Sequence, residues 1–206
     1  MTDEPLTAPV STASSWNIAN ALTVVRLLLV PWFGYLLLTD GGRDTTHRVA
    51  AWAVFALAAY TDKLDGQLAR SRNLVTSFGK LVDPIADKAL TGTALVGLSL
   101  LSELPWAVTV LVMARELGVT LLRFWVIRHG VIPASRGGKL KTLLQAVAIG
   151  LYVLPLAGPL ATARAVVMVA AVAVTVVTGV DYVARALTLR QTSARAALKR
   201  ARRSAR

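Results

Sequence analysis

Six apolar runs separated by short polar connections decide what this chain of 206 residues can build. They span about Asn20 to Leu38, Val49 to Ala69, Leu81 to Leu101, Trp106 to Ile127, Leu143 to Leu156 and Leu160 to Leu187. An α-helix needs about 20 apolar residues to cross the hydrocarbon of a bilayer. The fifth run is short of that unless the polar residues from Lys139 onward belong to the same helix. The chain is 55% apolar and 17% charged, against roughly 25% charged in soluble domains, so it is short of polar surface. A disordered chain is excluded by this hydrophobicity, and the absence of cysteine excludes a secreted disulfide scaffold. The prediction is all-α: a polytopic membrane protein, one bundle of six transmembrane helices.

Charge gives the bundle an orientation. The net charge is +12, and residues Arg185 to Arg206 hold eight basic side chains with no acidic one. No aromatic residue is interleaved there, which argues against single-stranded nucleic acid and for anionic lipid headgroups as the tail's partner. Arg70, Arg72 and Lys80 lie between runs two and three, and Arg128, Arg136, Lys139 and Lys141 between runs four and five. The opposite loops offer Arg43, Arg48 and Arg164. By the positive-inside rule both termini are cytoplasmic, and the protein is a multi-pass component of the cell membrane. Residues 1–16, rich in Ser, Thr and Pro and without a basic residue, are expected to be a disordered leader. Residues 17–187 form the expected catalytic membrane domain, and residues 188–206 a basic cytoplasmic tail.

Polar groups inside membrane spans are costly and mark function. Asp62 and Asp65 are three apart and share a helical face, as do Asp83 and Asp87, four apart. Asp62 lies about 12 Å above the end of run two near Arg70, at 1.5 Å per residue. Run three passes the other way, so the two spans are expected to face each other with four carboxylates just below the cytoplasmic surface. Such a set does not ionise together in a low dielectric without cations. Hard divalent ions with oxygen ligands, Mg²⁺ or Mn²⁺, meet that need, and two of them clamp a transferring phosphoryl group. Gly66 and Gly79 leave room for a ligand against the helix backbone, and Arg70 is placed for a phosphate.

Written out, the pattern is Asp62-x2-Asp65-Gly66-x2-Ala69-Arg70-x8-Gly79-x3-Asp83-x3-Asp87. It resembles the signature of the CDP-alcohol phosphotransferases at all eight fixed positions. The segments Leu22-Thr23-x2-Arg26, Asp83-Pro84-x-Ala86-Asp87-Lys88, Ala114-Arg115-Glu116 and Gly138-Lys139-x-Lys141-Thr142 are similar to bacterial members that make phosphatidylglycerophosphate. The resemblance implies an enzyme that transfers a phosphatidyl group from CDP-diacylglycerol to glycerol 3-phosphate and releases CMP. It implies that Asp62, Asp65, Asp83 and Asp87 hold two metal ions. Gly66, Ala69, Arg70, Thr76 and Gly79 would form the nucleotide pocket, and Asp87 would be the general base. A homodimer is implied as well.

The acceptor's phosphate calls for a cationic pocket. Arg115 and Arg123 stand eight apart in run four, and with Lys139, Lys141 and Arg26 they are candidates to line it. The alternative is that they snorkel or pair with Glu116 and Asp181. Inositol phosphate, or phosphatidylglycerol as the precursor of cardiolipin, would use the same chemistry. A divalent-cation transporter is the reading from another class, and it leaves Gly66, Arg70 and Gly79 without a role.

Overall fold

The computed structural model describes residues 18–71, 77–126 and 136–204, with side chains described over 20–62, 82–122 and 137–189. Among these residues the protein consists of six α-helices and no strand. They are α1 (Ile18–Leu38), α2 (Thr45–Ser71), α3 (Ser77–Leu100), α4 (Trp106–Val126), α5 (Arg136–Val153) and α6 (Pro159–Ser204). A tight turn over Thr39–Gly42 joins α1 to α2. Asp40, Gly41 and Gly42 take φ of 53°, 64° and 69° there, a left-handed conformation that glycine adopts without strain. At Gly42 a Cβ would also fall 2.6 Å from the Leu101 side chain. Asp44 then caps α2, its carboxylate accepting the Thr46 amide at 2.8 Å. That bond and the neighbouring His47 hold the Asp44 carboxyl below its ordinary range.

Helix α5 begins at Arg136, so Lys139 and Lys141 belong to it, and the fifth run is lengthened at its polar end. Proline at the first position of α6 fits the fixed φ of a helix start. That helix is 46 residues long, about 69 Å at 1.5 Å per residue, far more than a bilayer requires.

The core is built from Phe33 and Leu37 of α1, Phe55 of α2, Leu95 and Leu98 of α3, and Ile149 and Val153 of α5, all buried. Close approach of α1 to α3 depends on small residues: a Cβ at Gly97 would stand 2.7 Å from Leu37. Helix α1 packs extensively along both α2 and α3, which touch each other far less. Facing outward are Leu28, Tyr35, Val110, Leu121, Val166, Val169, Val177 and Val180, an apolar exterior over α1, α4 and α6. Two stretches, Asn20–Gly42 and Pro159–Leu189, are long and apolar enough to cross a membrane by length and composition. Helices α2 to α5 have 27, 24, 21 and 18 residues, and each contains charged residues.

One end of the bundle is fastened by Arg48, whose side chain is 1% exposed. Its Nε donates to the carbonyl of Val153 at 2.7 Å and its Nη2 to that of Tyr152 at 2.6 Å, at the C-terminus of α5. The same guanidinium pairs with Glu103, in the connection between α3 and α4. Arg164 of α6 reaches Glu103 at 3.4 Å and lies over the Tyr152 ring at 4.8 Å. A loop-like charge in the sequence is therefore a buried clasp that satisfies the terminal carbonyls of α5.

Candidate active site

The other end of α2 carries the carboxylates. In α1 the polar residues Asn20, Thr23 and Arg26 recur every third position in an apolar helix, and all three are buried. Buried polar groups need partners. Arg26 Nη1 donates to Asp62 Oδ1 at 2.7 Å and its Nε to the carbonyl of Ala58 at 3.3 Å. Thr23 Oγ1 donates to Asp83 Oδ1 at 2.6 Å. Helices α2 and α3 touch each other as well, and α1 adds a bridge between them that the spacing of the aspartates did not indicate. The polar stripe of α1 has to be satisfied, so this helix reaches a carboxylate on each of the other two.

A cavity of about 310 Å³ opens beside these residues. Asp62 and Asp87 both line it, so α2 and α3 each contribute a carboxylate. Lys141, Thr142, Gln145 and Ile149 of α5 form one wall, and Glu116 and Met113 of α4 another. Its deeper surface is apolar, with Phe55, Ala58, Leu90 and Ile149. Lys141 is buried and ion-paired with Glu116. Glu116 also meets Arg115 Nη1 at 3.4 Å, and Arg115 Nη2 donates to Thr178 Oγ1 of α6 at 3.2 Å. Lys88 lines the cavity with its Nζ 3.5 Å from the Pro84 carbonyl.

A family profile described as CDP-alcohol phosphatidyltransferase matches residues 16–177. The chain belongs to the CDP-alcohol phosphatidyltransferase family. A Mycobacterium tuberculosis protein named probable phosphatidylglycerophosphate synthase is 63% identical over 171 residues, 83% of this chain and 82% of that protein. Two proteins named CDP-diacylglycerol–glycerol-3-phosphate 3-phosphatidyltransferase are also similar. The one from Rickettsia bellii is 36% identical, covering 81% of this chain and 93% of its own. The one from Bacillus subtilis is 38% identical, covering 68% and 77%.

Of the residues that point to this transferase family in the sequence, the structure brings Asp62 and Asp87 to one cavity and ties Asp83 to α1. Asp65, Gly66, Ala69 and Arg70 lie on α2, and Gly79 on α3. Their side chains, and that of Arg123 on α4, fall outside the described residues, as does Thr76 altogether. Among the candidate acceptor cations, Arg26 and Lys141 line the cavity, and Lys139 is exposed on α5. Arg115 turns toward α6, where a Cβ at Gly179 would stand 3.1 Å from its Cγ. Asp181, a possible partner for these arginines, pairs with Arg185 at 2.9 Å instead.

Lys88 and Gln145 were not legible as cavity residues. Lys88 reads as an ion-pair partner for the aspartates, and Gln145 as one polar residue in an apolar run. A signal existed for Gln145, four residues after Lys141 and so on the same helical face. Asp40, Asp44 and His47 also bring three possible metal-ligand atoms within 4.8 Å of one another. They sit at the start of α2, about 26 Å along that helix from Asp62 at 1.5 Å per residue. Asp44 is already engaged there by the Thr46 amide and His47.

Proposed function

We propose that the protein transfers the phosphatidyl group of CDP-diacylglycerol to glycerol 3-phosphate, giving phosphatidylglycerophosphate and CMP. The observation that carries the reading is the single cavity lined by Asp62 and Asp87, with Arg26 and Lys141 in its walls. Relatives named for this reaction support the acceptor.

The donor set suits a hard divalent cation. Carboxylates from α2 and α3 line one cavity, and the Thr23 hydroxyl orients Asp83 one turn from Asp87. All of these are oxygen ligands of the kind Mg²⁺ and Mn²⁺ prefer. Asp62, Asp65, Asp83 and Asp87 would hold two such ions, which supply charge neutralisation for the pyrophosphate and the departing CMP.

Asp87 takes the proton of the acceptor hydroxyl as its oxygen attacks the lipid-side phosphorus. A P–O bond forms to the acceptor, and the P–O bond to CMP breaks. Arg26 keeps Asp62 in one orientation, so the carboxylate does not reorganise as charge moves. Gly66, Ala69, Arg70, Thr76 and Gly79 cradle the nucleotide. Lys141 and Lys88 supply positive charge to the acceptor phosphate from the cavity wall, with Lys139, Arg115 and Arg123 around them.

On this reading all six helices cross the cell membrane, the cavity opens toward the cytoplasm, and both termini lie on that side. The charge asymmetry supports it, the more so because Arg48 and Arg164, two of the three outer basic residues, are paired with Glu103. Residues 1–16 are a leader, 17–187 the catalytic domain and 188–206 a tail resting on anionic headgroups. The active form is a homodimer.

The test is CMP release by detergent-purified protein given CDP-diacylglycerol and Mg²⁺. Glycerol 3-phosphate, inositol phosphate, inositol and phosphatidylglycerol are offered singly, with Asp87→Asn as control. Release with glycerol 3-phosphate alone, lost in the control, is expected. Release only with another alcohol overturns the acceptor, and silence with all of them overturns the reaction.

A further inference from the structure

Gln145 is a polar side chain in the cavity wall with no role in the chemistry above. It is 7% exposed, and its Oε1 has no hydrogen-bond partner. A buried carbonyl oxygen left unpaired is destabilising, so its presence calls for a ligand that repays it. Lys141, Gln145 and Ile149 follow one another at four-residue spacing along the α5 face that lines the cavity. Gln145 is therefore about 6 Å deeper than Lys141, at 1.5 Å per residue. Around it the surface is apolar, with Ile149 on the same helix and Leu90 and Met113 across the cavity.

This inference rests on the transferase reading and deepens it. With glycerol 3-phosphate, the phosphate is drawn to the lysines and one hydroxyl is used in the attack. One hydroxyl is left over, a donor for which the described residues lining the cavity leave no second charged acceptor to spare. Asp62 is taken by Arg26, and Glu116 by Lys141 and Arg115. We infer that Gln145 is the specificity-determining residue for the acceptor, its side-chain amide turning toward the cavity so that Oε1 accepts a hydrogen bond from the middle hydroxyl of the glycerol unit. Inositol phosphate would bring several spare hydroxyls against Ile149, Leu90 and Met113, and would leave most of them unpaired.

The experiment compares two acceptors in the full-length, detergent-purified enzyme with CDP-diacylglycerol and Mg²⁺. One is glycerol 3-phosphate. The other is 3-hydroxypropyl phosphate, which keeps the attacking hydroxyl and the phosphate and lacks the middle hydroxyl. The wild type is expected to prefer glycerol 3-phosphate by about tenfold or more in kcat/KM, the worth of one buried hydrogen bond. Gln145→Met, similar in length and without an acceptor, is expected to bring the ratio to about one. Gln145→Glu, which keeps an oxygen at that place, is expected to retain a preference. Because the ratio is taken within each variant, it does not depend on how much of that variant folds. A Gln145→Met enzyme with the wild-type ratio overturns the inference, as does a wild type that does not discriminate. A wild type that releases CMP only with some other alcohol overturns the acceptor assignment first, and this inference with it.

Discussion

Arg26 Nη1 lies 2.7 Å from Asp62 Oδ1, and the arginine is 1% exposed while the aspartate is 41% exposed. The cation is buried in the bundle and the anion reaches into the cavity, so the pair orients the carboxylate rather than hiding it. A helix outside the aspartate pattern thus holds the first aspartate of that pattern in place.

Replacing Arg26 by Met leaves Asp62 without this donor. Loss of a hydrogen bond to a charged group costs about 1.5–3 kcal/mol. Thermal unfolding in detergent should shift down accordingly, and CMP release at saturating substrate should fall as well. Arg26→Lys should recover part of the stability, because it restores the charge without the second bond to the Ala58 carbonyl.

On the proposed mechanism, Asp87→Asn removes the proton acceptor and a carboxylate ligand together. General-base loss alone is worth about 10²–10⁴-fold, so CMP release should fall by at least that factor, with elution from a sizing column unchanged. A variant with near wild-type turnover would remove Asp87 from the mechanism.

Chelation offers a separate check. CMP release should stop with EDTA and return with Mg²⁺ or Mn²⁺, the ions that oxygen donors prefer. Full activity after exhaustive chelation would sink the metal assignment.

At the far end, Arg48→Met leaves the carbonyls of Tyr152 and Val153 without this donor and Glu103 with Arg164 alone. Breaking a buried ion pair costs about 3–5 kcal/mol. The melting temperature in detergent should drop by several degrees, while kcat of the folded fraction stays near wild type. Unchanged melting would show that the clasp contributes little.

The cap of α2 should be visible in pH titrations. Asp44 has a folded pKa below its ordinary value of 3.8. Its contribution is therefore present above the unfolded pKa and is lost as pH falls through the lowered folded value. Asp44→Ala should melt below wild type at neutral pH, and the gap should close under strongly acidic conditions.

Much of this architecture is legible in the sequence because apolar length and helical spacing are local properties. The run from Trp106 matches α4 at its first residue, and the glycines after Leu38 mark the turn. The placing of Asp62 and Asp65 on α2 and of Asp83 and Asp87 on α3 likewise follows from the local runs. Which helix lies next to which is not local. Arg48 looks like a loop charge until α2 is seen to start at Thr45, and Glu116, an alternative partner for several cations, takes Lys141, 25 residues later, a choice that spacing alone does not make. Such partners are chosen by packing, in which each buried charge takes the nearest group able to satisfy it. The polar stripe of α1 was the warning: three polar residues on one face of a membrane helix demand company, without naming it.

The clasp at Arg48 has a consequence for how so small a bundle admits a two-tailed lipid and a water-soluble phosphate. Arg48, Glu103, Arg164 and the end of α5 fix the lower jaw of a pair of tongs, since four segments meet there through charge and none slides without breaking it. At the aspartate end α1 is joined to α2 through Arg26, with Asp62 and the Ala58 carbonyl, and to α3 through Thr23 and Asp83, while Lys141 and Glu116 join α5 to α4. The fulcrum stands about 21 Å along α2 from Asp62, at 1.5 Å per residue, so the anchorage and the carboxylate cavity occupy opposite ends of one helix.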